Sequence, residues 1–588
     1  MSDLKIPEWL ESPEFAALRD NNLPPSDEQK NILLDIQSLL KDELGDSSFE
    51  NAGHRLRNED LLNLIQTVLS PIKALPDDIL IEVFLQCLPD RFTIQWQHKS
   101  AIAPMLLTHI CSSWRSLALK TPSLWTTFHV DSRLIMASLA RCTYAIELCK
   151  MWYSRAKNLP LNFCLLLRSL WGGGLDLEML IKQFMKETLF CYLPRIRVLS
   201  LESDEPVHLL KLLNEVYTER DAEDHGTSMT FDALEALQIG HILFYEEPVH
   251  ESSEIHLMIF KNAPRLRQLE WNMAFGQQIP HLPWKMLTTL SASCQFPSQI
   301  DKLVRQCHNL RHGAFKCIYE GNWDEGDIFS NLIPQVGSVS VLENLRSMLI
   351  INEFGHSLCG IFNNIEFPAL TALFLAFPPS SDSWHMDMKP FLSQPHNIQR
   401  LALLNISLIT AAQLTTLLLS TPHLVELELK IICDHSLLFE ELIISKDYKN
   451  GNESLIPHLQ TLLVDYHGDY RYYNIAETFS AMVQSRWGGS GNMLMSGSKC
   501  LHSVSFFIPP KQLERTIKFY GQRITYTPRM EDMLQEISDR LQPCVDAGLE
   551  LNLHRPLDAY WDNDIRYDII NWHNALMAHQ PFQPMETH

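Results

Sequence analysis

The feature that most constrains this chain is a phrase that recurs through its middle. An apolar residue is followed by two variable ones, a second apolar residue, one variable residue and a third apolar one. It reads Ile196-x-x-Leu199-x-Leu201, Leu234-x-x-Leu237-x-Ile239, Leu266-x-x-Leu269-x-Trp271, Leu345-x-x-Met348-x-Ile350 and Leu370-x-x-Leu373-x-Leu375. It continues as Ile398-x-x-Leu401-x-Leu403, Leu424-x-x-Leu427-x-Leu429, Leu459-x-x-Leu462-x-Val464 and Leu501-x-x-Val504-x-Phe506. Weaker copies stand near Leu287 and Leu310, and Leu161-Asn-Phe-Cys-Leu has the form of an opening strand. Alternation within each phrase sends its last apolar residues to one face of a short strand. The better copies recur every ~25 to 28 residues, a period at which single units cannot bury their apolar face and must stack on neighbours. Intervening runs such as Thr410-Ala-Ala-Gln-Leu-Thr-Thr-Leu-Leu-Leu have helical spacing.

This order of phrases resembles a degenerate leucine-rich-repeat solenoid. The expected fold is therefore α/β, a horseshoe over residues 160–510. The resemblance puts the variable strand positions on the concave surface: Glu202, Gln238, Glu270, Leu349, Phe374, Arg400, Glu426, Glu428, Leu463 and Phe507. Exposed Leu349, Phe374 and Leu463 would form a target-binding patch, with Arg400, Glu426 and Glu428 beside it. The other reading is that loops or neighbouring side chains bury those three apolar residues.

Ahead of the phrases lies a different pattern. Residues 1–25 carry four prolines without periodicity and read as an unstructured leader. Residues 26–70 hold two amphipathic helices, one with Ile32, Leu33, Ile36, Leu39, Leu40 and Leu44 on a face, the other from Glu59 to Leu69. They form either a pair packed on the next segment or a dimerising coil. From Pro76, Ile79, Leu80, Val83, Phe84, Cys87 and Leu88 recur at one-face spacing, with Asp77 and Asp78 suited to a helix amino terminus. A second helix is expected from Pro104 through Leu107, Ile110, Cys111, Trp114, Leu117 and Ala118. Leu124, Trp125 and Phe128 follow as a short third element. Three short helices leave apolar surface that calls for an outside partner.

The residues Leu75-Pro-x-x-Ile-Leu-x-x-Val-Phe84, then Ile110-Cys-x-x-Trp-Arg-x-Leu-Ala118 and Pro122-x-Leu-Trp125, strongly resemble an F-box. Leu69-Ser-Pro-Ile-Lys-Ala-Leu-Pro76 and Trp152-Tyr-Ser-Arg-Ala-Lys-Asn-Leu-Pro-Leu161 are similar to fungal F-box proteins in particular. The resemblance implies an F-box at 71–130 and a helical connector at 131–159. It implies docking on a Skp-type adaptor, and through it on a cullin–RING ubiquitin ligase. The implied contacts are Leu75, Pro76, Ile79, Leu80, Val83, Phe84, Ile110, Cys111, Trp114 and Leu124. The long Arg91 to Ala103 connection and the Ser112-Ser113 pair depart from the family pattern.

The resemblances together imply the substrate-recognition subunit of a ubiquitin ligase, with an interaction scaffold that directs no ubiquitylation as the alternative. No catalytic residue, cofactor or metal is expected. Cys307-His308 with His312 and Cys317 lacks zinc-module spacing, and Gly488-Gly-Ser-Gly lacks the phosphate-loop order. A net charge of −22 argues against nucleic acid as a partner. Thirteen scattered cysteines and an amino terminus without a secretory pattern point to an intracellular protein of the cytoplasm or nucleus. The charge-free run Leu401 to Val425 is long enough for a membrane span but divides into a strand-like and a helix-like half. Residues 511–588 are expected to cap the last repeat, with a helix at Glu531 to Leu541, a strand at Leu549-Glu-Leu-Asn-Leu, and a loose tail.

Overall fold

The computed structural model describes residues 13–20, 24–45, 52–88, 102–135, 138–168, 175–223, 230–241, 259–273, 280–294, 297–317, 340–352, 358, 361–362, 365–376, 391, 397–406, 409–431, 433–444, 455–466, 474–487, 501–508, 518–519, 522–523 and 528–553. The expectations for the Arg91 connection, for Gly488-Gly-Ser-Gly and for the carboxyl-terminal tail lie outside the described residues. The chain is mixed α/β and divides into two compact units, residues 1–201 with 215–229 and residues 202–214 with 230–588.

The first unit opens with α1 (Pro13–Asp20), α2 (Asp27–Gly45) and α3 (Ala52–Val68). Helix α1 corrects the expectation of an unstructured leader over residues 13–20. Phe15 and Leu18, three residues apart, bury one face against Leu33, Ile36, Leu40, Ile65 and Val68. An eight-residue helix has little stability alone, so this packing holds it. Next come a 3₁₀ turn at Pro71–Ala74, α4 (Asp77–Gln86), α5 (Leu107–Ile110), α6 (Ser112–Lys120) and a 3₁₀ turn at Pro122–Trp125. The single helix expected from Pro104 is thus two. Cys111 is extended (φ −153°, ψ 170°) and its Sγ accepts the Trp114 N–H at 3.4 Å, so it caps α6 and breaks the run.

Strand β1 (Thr127–Asp131), which is not among the expected strands, pairs in parallel with β2 (Leu161–Leu167). The strand order is β1, β2, then β3 (Ile196–Ser203), which runs to the division between units. Helices α7 (Ser132–Ile135), α8 (Leu139–Arg155), α9 (Leu175–Glu187) and α10 (Pro206–Glu223) lie between and after these strands in sequence.

In the second unit the strands follow one another in chain order, all parallel. They are β4 (Ala236–His241), β5 (Gln268–Asn272), β6 (Thr289–Cys294), β7 (His312–Cys317), β9 (Ser347–Asn352), β11 (Ala372–Ala376), β12 (Arg400–Ile406), β13 (Glu426–Ile431), β14 (Thr461–Asp465), β15 (Ser503–Phe507) and β18 (Glu550–Asn552). Two short pairs stand apart: β8 (Ser340–Val341) with β10 (Ile365–Glu366), parallel, and β16 (Lys518–Phe519) with β17 (Gln522–Arg523), antiparallel. Among the described residues no set of strands closes into a barrel.

Register explains why the phrase recurs. Leu237, Leu269, Leu290, Gly313, Met348, Leu373, Leu401, Leu427, Leu462, Val504 and Leu551 are successive partners along one row. Ile239, Trp271, Ala292, Phe315, Ile350, Leu375, Leu403, Leu429, Val464 and Phe506 form the next row, and each of these is buried. Gly313 is the one member without a side chain, because a Cβ there would lie 2.7 Å from the Phe315 ring. Helices at Pro297–Gln306, Ala411–Leu419, His435–Leu442, Ile475–Arg486 and Pro528–Asp546 fall between strands. The charge-free run accordingly splits into β12 and the helix Ala411–Leu419, which Thr410 and Gln413 start with a reciprocal capping box. No helix among the described residues is long and apolar enough to cross a membrane. The carboxyl-terminal strand adds to the parallel series beside β15, and the helix before it spans Pro528–Asp546.

Candidate docking surface

Helix α4 carries two apolar stripes and buries one. Leu80 and Phe84, four residues apart, are buried, and the Phe84 ring lies 4.8 Å from that of Trp114 on α6. Ile79 and Val83, also four apart, are 47% and 38% exposed. Pro76 occupies the cap position, its carbonyl accepting from the Leu80 N–H at 3.0 Å, and Asp77 and Asp78 place negative charge in the first turn. Leu75 just ahead of the helix is 38% exposed, and Ile72 in the preceding 3₁₀ turn 37%.

The support beneath this helix is closely packed and hydrogen-bonded. Leu124 and Trp125 are buried, and the Trp125 indole N–H donates to the Ala118 carbonyl at 2.8 Å. The Arg155 guanidinium stands 4.3 Å from the Trp125 ring centroid, and Trp152 meets Trp125 edge-on at 4.8 Å. Arg115 Nε donates to the Thr108 carbonyl at 2.6 Å, bracing α6 against α5 across the Cys111 break.

The structure therefore sorts the ten expected contact residues. Leu75, Pro76, Ile79, Val83 and Ile110 face solvent, Cys111 and Trp114 are half-buried, and Leu80, Phe84 and Leu124 are internal. The last three are corrected from surface contacts to core: their side chains are spent on packing α4 against α6 and the 3₁₀ turn. Sequence reasoning missed Ile72, Leu106 and Leu119, all exposed. The signal for Leu106 was its four-residue spacing from Ile110. Completing the burial of a half-exposed Ile or Leu here would contribute about 1 kcal/mol per side chain.

One charged group sits inside this region. Lys73 is buried, and its ammonium donates to the Leu18 carbonyl at 2.8 Å. Burial lowers its pKa from the ordinary lysine value, opposed by the charge of Cys111.

The second expected surface is the alternate strand face. Leu349 and Phe374 are not exposed there. They are buried in a cluster with Ala314, Ile351, Ala372, Ala376, Ala402 and Leu404. The physical reason is lateral packing: small alanines occupy the neighbouring register positions, so the larger side chains fold down over them. Arg400 lies between this cluster and the acidic strand, its Nε 2.5 Å from Glu426 Oε2 and its guanidinium 6.0 Å from the Phe374 ring. Glu426, Glu428 and Leu463 are half-buried, as are Glu202, Gln238 and Glu270, while Phe507 is buried. Of the three apolar residues expected to form a patch, only Leu463 keeps exposed area, at the register position beside Glu428.

No protein-family model matches the chain, and no curated protein matches it.

Proposed function

We propose that this chain is the substrate-recognition subunit of a cullin–RING ubiquitin ligase. An F-box at 71–130 docks a Skp-type adaptor, and a leucine-rich-repeat solenoid at 160–510 holds a protein target. The observation that carries the reading is helix α4, whose F-box-like residues present Leu75, Pro76, Ile79 and Val83 to solvent on a packed support. The in-register rows of parallel strands support the repeat reading, since the apolar residues of each strand align with those of the next. The mechanism is positional. Holding a target and a ubiquitin-loaded enzyme in one complex raises their effective concentration, and this chain contributes no catalytic residue. The target face on this reading is the half-buried strip of Glu426, Glu428 and the apolar Leu463 rather than Leu349 and Phe374.

The test is co-purification with a Skp-type adaptor. Ile79→Ser with Val83→Ser is expected to weaken adaptor capture at least tenfold while the thermal midpoint stays unchanged. Undiminished capture, or no capture by the parent chain, overturns the F-box reading. Recovery of a cullin with the parent chain, together with a protein that accumulates when the chain is deleted, distinguishes a ligase receptor from a scaffold.

A further inference from the structure

Helix α2 offers a second surface with its own chemistry. It starts from a reciprocal cap in which Gln29 N–H donates to Ser26 Oγ at 3.3 Å and Ser26 N–H to Gln29 Oε1 at 2.9 Å. Leu33, Ile36 and Leu40 form its buried face. Along one edge of that face, Ile32 and Leu39 are 39% and 51% exposed. At about 100° per residue, seven residues return to within about 20° of the same line, so the two side chains stack along the helix. Glu28, Asp35 and Asp42 flank them on one side, all exposed. The helix's two lysines, Lys30 and Lys41, fall on the opposite side, and among the described residues none of the three carboxylates has an ion-pair partner.

We infer that this edge of α2 docks a basic amphipathic helix of a partner protein, apolar side chains onto Ile32 and Leu39 and Lys or Arg side chains onto Glu28, Asp35 and Asp42. The charge decides against a second copy of this chain. A like copy brings a net charge of −22 and no cation along the same edge, so pairing would set carboxylates near carboxylates. A cationic helix with Lys or Arg repeated every seven residues matches Glu28, Asp35 and Asp42, which recur at that spacing, with Ile32 and Leu39 three and four residues from them. The inference rests on α2 and stands independently of the F-box reading.

The experiment titrates the full chain with a labelled Lys/Leu amphipathic peptide of about five turns, read by fluorescence anisotropy. Binding is expected, weakening at least tenfold in Ile32→Ser/Leu39→Ser and in Asp35→Lys/Asp42→Lys, and weakening as salt is raised. The same peptide with Glu in place of Lys should not bind. Asp532→Lys/Asp539→Lys, on exposed carboxylates of the Pro528–Asp546 helix, should leave binding within twofold. Equal loss in that control pair shows general attraction to an acidic protein and overturns the inference. So does unchanged binding in the α2 variants, or sedimentation showing a dimer that Ile32→Ser/Leu39→Ser dissolves. The charge-reversal pair lies wholly on the surface, so it decides the matter if the apolar pair perturbs folding.

Discussion

Lys73 and Leu18, 55 residues apart in sequence, are joined by one hydrogen bond: the buried ammonium donates to the carbonyl in the last turn of α1 at 2.8 Å. A cation at a helix carboxyl terminus complements the dipole and satisfies a carbonyl with no partner inside the helix. The bond ties the amino-terminal helix to the turn that leads into α4.

Lys73→Met should release α1. A charge-assisted hydrogen bond contributes about 1.5–3 kcal/mol, partly offset here by removing a buried charge. Amide exchange over residues 13–20 is expected to accelerate tenfold or more with α4 unaffected. Exchange at the parent rate would show that Phe15 and Leu18 hold the helix without the lysine.

Arg486 is a buried cation shared among three backbone carbonyls. Its Nε and two Nη atoms donate to the carbonyls of Leu442, Ile456 and Leu455 at 2.7, 2.9 and 2.7 Å. Ile456 has a positive φ of 44°, so the arginine fastens a strained turn to its helix. Arg486→Met leaves three carbonyls without this donor and should cost about 3–5 kcal/mol. The urea midpoint measures it, and a loss below about 1 kcal/mol would contradict the role.

His129, on β1, supplies a pH dependence. Burial lowers its pKa from 6.5 to about 4. The unfolded chain therefore takes up the proton first as pH falls. The stability that His129 contributes is full above pH 6.5 and is lost as pH drops from 6.5 to about 4. The loss is on the order of 2–3 kcal/mol. His129→Gln should flatten this part of the profile. Urea unfolding of both proteins at pH 7.0, 5.5 and 4.5 compares them, and parallel curves would rule out the assignment.

Phe374 and Leu349 should behave as core. Phe374→Ala is expected to destabilise by about 3–5 kcal/mol and Leu349→Ala by about 2–5 kcal/mol. Glu428→Gln, at a half-buried position on the same face, should change stability by less than about 1 kcal/mol. Midpoint shifts of similar size for all three would show that the apolar cluster is not the support of this face.

The strand ladder was legible in the sequence because its cause is local and repeated. Each phrase places its apolar residues two apart, and such residues align when parallel strands stack in register, as Leu373, Leu401, Leu427 and Leu462 do. Strand β1 carries the same spacing, as Trp125-x-x-Phe128-x-Val130, but the F-box-like reading absorbs Leu124, Trp125 and Phe128 into a short third element and so hides it. Helix α4 was equally legible as a helix, yet its sequence carries two apolar stripes of like spacing, and nothing local chooses between them. Contact with Trp114, thirty residues downstream, buries Phe84 and leaves Ile79 and Val83 in solvent. The same holds for the alternate strand face. Leu349 and Phe374 look like exposed positions until their neighbours are known to be Ala314, Ala372 and Ala402. Period belongs to the sequence; which of two apolar faces is hidden depends on residues brought alongside from far along the chain, and only the tertiary structure decides it.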